Sequence, residues 1–250
     1  MLRYTMSFVV FVCVTAFAWA QENAKTVTVR WHGQSFFEIQ ASNGARVVFD
    51  PHAIEAYGER KVKADLVLIS HFHNDHTQIG VIENAREAKI IFGLEAKGKE
   101  TEWRLVDSKF KGIRVRTVGT YHDTMKGLER GKNTVFCLEI DGLRVVFLGD
   151  LGHILTDDQV REIGDVDVLF IPVGGIYTIN GAEAKKVVKQ LKPRRYIIPM
   201  HYGTDVFDVV LPATEFLEDQ PNVKKLPTNK LEIKTDFKPK SPIIAVLNWK

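Results

Sequence analysis

The stretch LISHFHNDHTQ, residues 68–78, places three histidines and an aspartate within the six positions His71 to His76, directly after an apolar run. The same arrangement recurs three more times, and this repetition is what constrains the fold. IRVRTVGTY leads into His122, LRVVFLG into Asp150 and RRYIIPM into His201. Strand ends converge on one edge of a sheet, so residues distant in the chain can meet there. Ligands carried by rigid elements also hold their geometry better than ligands on free loops. The pattern therefore calls for sheets whose strands end at one point.

The set His71, His73, Asp75, His76, His122, Asp150 and His201 offers seven metal ligands, with a carboxylate available to bridge. A structural zinc is closed by four protein ligands, so seven suit two ions. Two cations roughly 3.5–4 Å apart lower the pKa of a shared water towards neutrality, polarise a scissile group and stabilise a leaving oxygen.

The order of elements points to an α/β sandwich with mixed sheets. TVTVRWHG, SFFEIQ and ARVVF have strand patterns, and ADLVLIS is the continuous apolar run of a strand covered on both faces. Ile79, Ile82 and Ala85 predict a helix after the histidine cluster, before the strand KIIFG. Asp141-Gly142 between NTVFCLEI and LRVVFLGD predicts a hairpin. Thr156 with Gln159, and Asn180 with Glu183, predict two capping boxes that open helices, the second helix burying Val187, Val188 and Leu191 and stopping before Pro193. Buried strands follow in DVLFIPVGG and RRYIIPMHYG. After Asp205, a helix near Pro212 to Glu218 and the strands KLEIKTD and PIIAVLN are expected to close the sandwich.

The remaining bounds come from length, charge and cysteines. The 250 residues hold no repeat or linker-like segment, so residues 21–250 read as one domain. A formal net charge of +3, with Lys and Arg dispersed among acids, argues against a nucleic-acid partner. Arg3, the apolar Ser7 to Phe17 and the small residues Ala18 and Ala20 predict a signal peptide over residues 1–20, cut before Gln21. That places the mature chain in the periplasm or outside the cell. The apolar run is shorter than the roughly 20 residues of a spanning helix, so no stable membrane insertion is expected after cleavage. Cys13 follows Val12 rather than a small residue, which argues against lipidation, and Cys137 is then the sole cysteine, so no internal disulfide forms. Lying mid-strand in TVFCLEI, Cys137 is expected in the core.

HFHNDH, then His122, then Gly149-Asp150, then PMH at His201 resemble the ordered motifs of the metallo-β-lactamase fold hydrolases over about residues 26–203. More narrowly, VGTYHDTMKGLERGKNTVF, FLGDLGH and PVGGIYTINGAEA resemble the ascorbate-6-phosphate lactonase-like branch. The resemblance implies a four-layer αββα sandwich of two mixed β-sheets. It implies His71, His73 and His122 on a first metal, Asp75, His76 and His201 on a second, and Asp150 between them. Asp75 would also orient the attacking hydroxide that bridges the ions and could accept its proton. Family members use zinc, manganese or iron, and mixed imidazole and carboxylate ligands suit all three, with zinc the first expectation.

The expectation is thus a dinuclear metal-dependent hydrolase acting on an ester- or lactone-type bond in a small molecule, since no G-x-S-x-G occurs and Cys137 is no nucleophile. A phosphodiesterase or phospholipase, with Arg130, Lys126 and Lys132 as anion contacts, is the alternative, and a metal-binding protein without turnover is another. His153 is expected to reach the substrate or donate a proton, with a hydrogen-bonded structural histidine as the other reading. Asp50 is expected to support a ligand histidine, with an Asx turn as the alternative. Gln34 stands where many related sequences have histidine. His32 and His52 have no motif, and Tyr177 and Thr178 are expected to cap and pack, with lining the pocket as the other reading.

Overall fold

The computed structural model describes residues 24–98 and 100–250. The expected signal peptide and Cys13 lie outside the described residues. The chain runs through β1 (Thr26–Trp31), β2 (Phe37–Gln40), β3 (Arg46–Phe49), β4 (Leu66–Ile69), β5 (Lys89–Phe92), β6 (Leu94–Lys97) and β7 (Glu100–Trp103). There follow β8 (Asp107–Phe110), β9 (Ile113–Tyr121), β10 (Lys132–Ile140), β11 (Leu143–Phe147), α1 (Asp157–Ile163), β12 (Val168–Pro172), α2 (Gly181–Leu191) and β13 (Tyr196–Met200). The C-terminal part holds α3 (Thr214–Leu217), β14 (Val223–Lys225), β15 (Lys230–Lys234) and β16 (Ile243–Val246).

These strands form two large sheets, in the orders β15-β1-β2-β3-β4-β5 and β14-β16-β13-β12-β11-β10-β9-β8, with β6 and β7 as a separate pair. Both are mixed: β3, β4 and β5 pair in parallel while β1 and β2 are antiparallel, and β11, β12 and β13 pair in parallel while β9 and β10 are antiparallel. The core lies between them. Phe49 stacks on Phe147 with ring centroids 4.5 Å apart, and Phe37 meets Phe170 edge-on at 4.7 Å. Strands β4, β12 and β13 are buried along their whole length, which is why they read as continuous apolar runs rather than alternating ones.

Local signals act as the sequence predicts in most places. Asp141 and Gly142 both have positive φ, 50° and 80°, as a two-residue type I′ hairpin between β10 and β11 demands. Both capping boxes are formed, at Thr156 and Asn180. Helix α2 buries Ala184, Val187 and Leu191 and ends at Lys192, left-handed, before Pro193. The tail divides between the sheets, β15 extending β1 and β16 extending β13.

One expected element is not there. Residues 79–85 form a 3₁₀ turn, Ile79–Val81, followed by turns rather than a helix. Helical geometry would send these backbone groups to each other, but they bond elsewhere. Val62 N–H donates to Val81 O, Glu83 N–H donates to Val62 O, and the Asn84 side chain bridges both backbone groups of Ala64. The apolar positions still face inward: Val81 and Ile82 join Phe36, Val48, Val67 and Ile69 in a small cluster on the outer face of the six-stranded sheet. Over that sheet the covering layer is therefore built of turns, whereas α1 and α2 bury their apolar residues in the main core.

All four expected apolar strands end on one edge. β4 leads to His71, β9 to His122, β11 to Asp150 and β13 to His201. Two glycines permit the close approach. Gly149 has φ 56°, and a Cβ there would collide with the Asn133 side-chain oxygen; a Cβ on Gly152 would collide with the backbone of His122.

Candidate metal centre

Asp150 is the hub. Its Oδ2 lies 3.2 Å from Nε2 of His76, of His122 and of His201, and 3.9 Å from Nε2 of His71. All five side chains are buried. His71 Nε2 is 3.1 Å from His73 Nδ1, and His122 completes a triad with them. Asp75, His76 and His201 form a second group. The seven expected ligands thus come together, in the same three-and-three division about one carboxylate. His73 and Asp75 are the exposed members, on the side open to substrate.

The donor set fits metal ions. Two nitrogens held at roughly 2.0–2.1 Å from one tetrahedral ion lie about 3.3 Å apart, close to the spacing of His71 and His73. The tautomers give a second test. His76 Nδ1 faces Asp50 Oδ2 at 3.0 Å and His71 Nδ1 faces Ser70 Oγ at 2.8 Å, so each ring carries its proton on Nδ1. Lone pairs on both Nε2 atoms then point at the Asp150 carboxylate with no donor between them. Positive charge satisfies such an arrangement, whether a metal ion between the groups or a proton on His76.

Electrostatics agree. Burial alone would lower the pKa of His76, yet the carboxylates of Asp150 and Asp50 outweigh it and raise it well above the usual histidine value. Burial likewise opposes ionisation of Asp150, but His201 and His76 hold its carboxyl well below the usual range. His71 is pushed far down, first by burial and then by His76, so it is neutral and free to ligate. The pocket thus favours positive charge beside Asp150 and keeps His71 neutral.

Asp50 supports both halves of the site. Its Oδ1 accepts from Ser70 N–H at 2.7 Å, and its Oδ2 accepts from Ser70 Oγ at 2.5 Å and from His76 at 3.0 Å. Ser70 in turn accepts from His71, so one carboxylate orients a ligand of each group. Asp50 and His201 both hold left-handed backbone, φ 40° and 49°, a conformation tolerated where surrounding contacts over-determine it. Replacing Asp50 with asparagine, which also accepts positive φ, is expected to weaken metal affinity about 10- to 100-fold. Competition with a chromogenic chelator reads this, and unchanged affinity would remove Asp50 from the support of the site.

Several residues depart from expectation. His153 reaches no substrate-facing position: its Nε2 accepts from Tyr121 N–H at 3.1 Å and its Nδ1 donates to Ile154 O at 2.8 Å. With both nitrogens on the backbone it braces the end of β9 beside His122 and has no proton to offer. Lys132 donates to Thr101 O over the Trp103 ring, and neither it nor Lys126 lines the cavity. Tyr177, expected to pack, is 46% exposed and lines the cavity, whereas Thr178 is buried. Gln34 also lines it, its amide held by Tyr57 Oη and Tyr202 O. His32 packs on Phe36, and His52 bonds Gly33 O, its pKa pushed down to about 4 by burial. Cys137 is a buried core residue whose thiol burial pushes up to about 12.

Three supporting residues escape a reading of sequence. Ser35 donates to Asp150 Oδ1 at 3.1 Å, and Asn133 accepts from Asp150 N–H while donating to Thr120 and Leu148. Asp123 accepts four backbone N–H groups of the loop after His122. Only Asp123 carries a local signal, an Asx residue ahead of Gly127 and Gly131.

The profile of the beta-lactamase superfamily domain matches residues 28–201. A UPF0173 metal-dependent hydrolase of Thermococcus kodakarensis is 30% identical over 198 residues, covering 71% of this chain and 85% of the relative. One from Thermococcus onnurineus is 29% identical over 194 residues, covering 71% and 85%. Among solved structures, a protein from Thermotoga maritima assigned to the Zn-dependent hydrolases of the metallo-β-lactamase superfamily superposes with a TM-score of 0.68 at 35% identity, covering 88% of this chain and 98% of that one. With its Asp150-centred histidine cluster at the edge of two mixed sheets, the chain belongs to the β-lactamase superfamily and, within it, to the UPF0173 metal-dependent hydrolases.

Proposed function

We propose that the protein hydrolyses an ester- or lactone-type bond in a small molecule, the activity expected of the ascorbate-6-phosphate lactonase-like branch it resembles. Two divalent ions, zinc before manganese or iron, would be held by His71, His73 and His122 and by Asp75, His76 and His201, with Asp150 shared. Bound there, they supply Lewis-acid polarisation of the scissile carbonyl and a water of lowered pKa. The chain's own groups do the rest. Asp75 lines the cavity with Oδ2 3.7 Å from His76 Nε2, where its carboxylate can orient a water and accept a proton. Hydrolysis breaks the acyl carbon–oxygen bond, joins the water oxygen to the acyl carbon and returns one proton to the leaving oxygen. His153 has no part in this scheme, since both its ring nitrogens bond the backbone.

The observation that carries this reading is the cavity, about 460 Å³, that opens directly over Asp150. Its wall is Tyr177, Phe207, Val209 and Val210, and Arg130 is its one Lys or Arg among the described residues. A phosphodiester, with negative charge at the scissile group, is normally gripped by several cations. An apolar wall with a single Lys or Arg among the described residues suits a neutral carboxylic ester. Metal-loaded protein is expected to turn over aryl esters and γ- or δ-lactones at least tenfold faster, in kcat/KM, than bis(para-nitrophenyl) phosphate. The reverse order would favour the phosphodiesterase.

We place the mature protein in the periplasm or outside the cell, by the signal peptide read from residues 1–20. Among the described residues no helix is long and apolar enough to cross a membrane.

A further inference from the structure

The wall of the cavity over Asp150 continues onto two loops that present apolar side chains to solvent. One follows β13 and carries Phe207, Val209, Val210 and Leu211, and the other follows β12 and carries Ile176 and Tyr177. The loops are joined, Leu211 N–H donating to Gly174 O at 2.8 Å, and Leu211 Cδ1 lies 3.5 Å from the position a Cβ on Gly175 would take. The first loop is closed on itself by Gly203 N–H to Leu211 O and Thr204 N–H to Phe207 O. Asp205 also ties it to the C-terminal residues, accepting from Trp249 Nε1 at 2.6 Å and Lys250 Nζ at 3.0 Å. The strip is therefore held in place before anything binds, which lowers the entropic cost of binding.

What stands on these loops is costly to keep in water. Ile176, Val209 and Leu211 are 53%, 52% and 49% exposed, while Val210 is buried. Ile176 is also strained. Tyr177 N–H donates to Gly175 O at 2.6 Å across it, a γ-turn with Ile176 at φ 59°. Glycine, asparagine and aspartate enter this region readily, whereas a β-branched side chain is an outlier there, and such strain clusters at functional sites. Single apolar residues scattered over a surface need no explanation, but a row continuous with a cavity marks a place for an apolar ligand. Four side chains are also too few for a specific protein interface, which takes about 20–30 residues a side. They match one aliphatic chain leaving the cavity.

We infer that the preferred substrate carries an aliphatic chain, which passes Phe207 and Tyr177 and lies along Ile176, Val209 and Leu211. These last three are specificity-determining residues. Which bond is cleaved rests on the ester-hydrolase reading, whereas the seating of the chain does not.

The test uses two neutral series, para-nitrophenyl esters from acetate to octanoate and γ-lactones with ring substituents from methyl to hexyl, on metal-loaded wild type, Ile176→Asn and Leu211→Ser. In at least one series kcat/KM of the wild type is expected to rise about two- to fourfold per methylene, the worth of a CH₂ group wholly or partly removed from water. Each variant is expected to lower the long-chain to short-chain ratio about fivefold or more. Asparagine accepts positive φ, so Ile176→Asn should hold or raise Tm while the ratio falls, which separates a lost grip from a damaged fold. Flat series in the wild type, or ratios unchanged in both variants, overturn the inference. So does a rise confined to concentrations at which the ester aggregates, which would put a lipid surface on the strip, or a dimer in sedimentation equilibrium that both variants dissociate, which would put a second copy there. Titration of the neutral fluorophore N-phenyl-1-naphthylamine, with 1-octanol as competitor, reads the strip without turnover. Wild type that cleaves no ester or lactone, yet binds the fluorophore about tenfold more tightly than the variants and releases it to octanol, sinks the ester-hydrolase reading and leaves the chain site standing. Equal binding to all three proteins overturns it.

Discussion

Asp150→Ala is expected to reduce bound metal from about two equivalents to one or fewer and to lower kcat/KM for the preferred ester by about 10³ or more, roughly 4 kcal/mol of transition-state stabilisation. The reason is geometric. Three imidazole Nε2 atoms lie 3.2 Å from a single carboxylate oxygen, so its removal takes the shared ligand from both groups at once. It would also remove negative charge from between the two proposed cations, which repel each other at short range. The backbone N–H of Asp150 would keep its bond to Asn133, and outside the histidine cluster only Ser35 Oγ would lose an acceptor, so the fold is expected to survive. Without metal, the variant should be less stable than the wild type, because it leaves His76 buried without one of the two carboxylates that favour its charged form. Elemental mass spectrometry, steady-state kinetics and urea unfolding of metal-free samples read the three parts. A variant that keeps two equivalents and more than a tenth of the rate would show that Asp150 is not the shared ligand.

Removing the metal from the wild type is expected to lower Tm by roughly 8–16 °C. Ions that bind only the folded chain stabilise it by about 4 kcal/mol when free metal is a thousandfold above Kd. A chain of this size loses about 2–4 °C in Tm per kcal/mol. Absent the metal, the site holds a buried Asp150 carboxylate against lone pairs, and His76 must take up a proton to balance it. That substitution makes the sign of the pH dependence specific. Metal binding requires neutral imidazoles, so the Tm gap between loaded and metal-free protein should narrow as pH falls below the elevated pKa of His76, which Asp150 and Asp50 raise well above the usual histidine value. His76 works the other way in the metal-free protein. Its pKa is raised by Asp150 and Asp50, so the stability it contributes is present at low pH and fades as pH rises through its elevated value. Differential scanning calorimetry with and without chelator, from pH 5 to 8, checks both trends. A gap that stays constant across that range would mean that histidine deprotonation is not coupled to the site.

Local patterns in the chain already determined much of this protein. The apolar runs that became β4, β12 and β13, the Asp141-Gly142 hairpin and the two capping boxes are decided by neighbours within a few residues, whose spacing is visible in one dimension. The seven candidate ligands were legible for the same reason, each lying in the short segment that follows an apolar strand. What needed the tertiary structure depends on partners far apart in the chain. Ser35 reaches Asp150 across 115 residues, Gln34 reaches Tyr202 O across 168, and Asp50 serves His76 and Ser70 from another strand end. Such pairs exist only once the two sheets pack. The same cause turned the helix expected at residues 79–85 into turns, because Val81 O and Glu83 N–H found partners on Val62 and the Asn84 side chain found both backbone groups of Ala64. It also made His153 a brace and Tyr177 a cavity wall, since a side chain's role is set by what the packed fold brings to its polar atoms, and that information is not local.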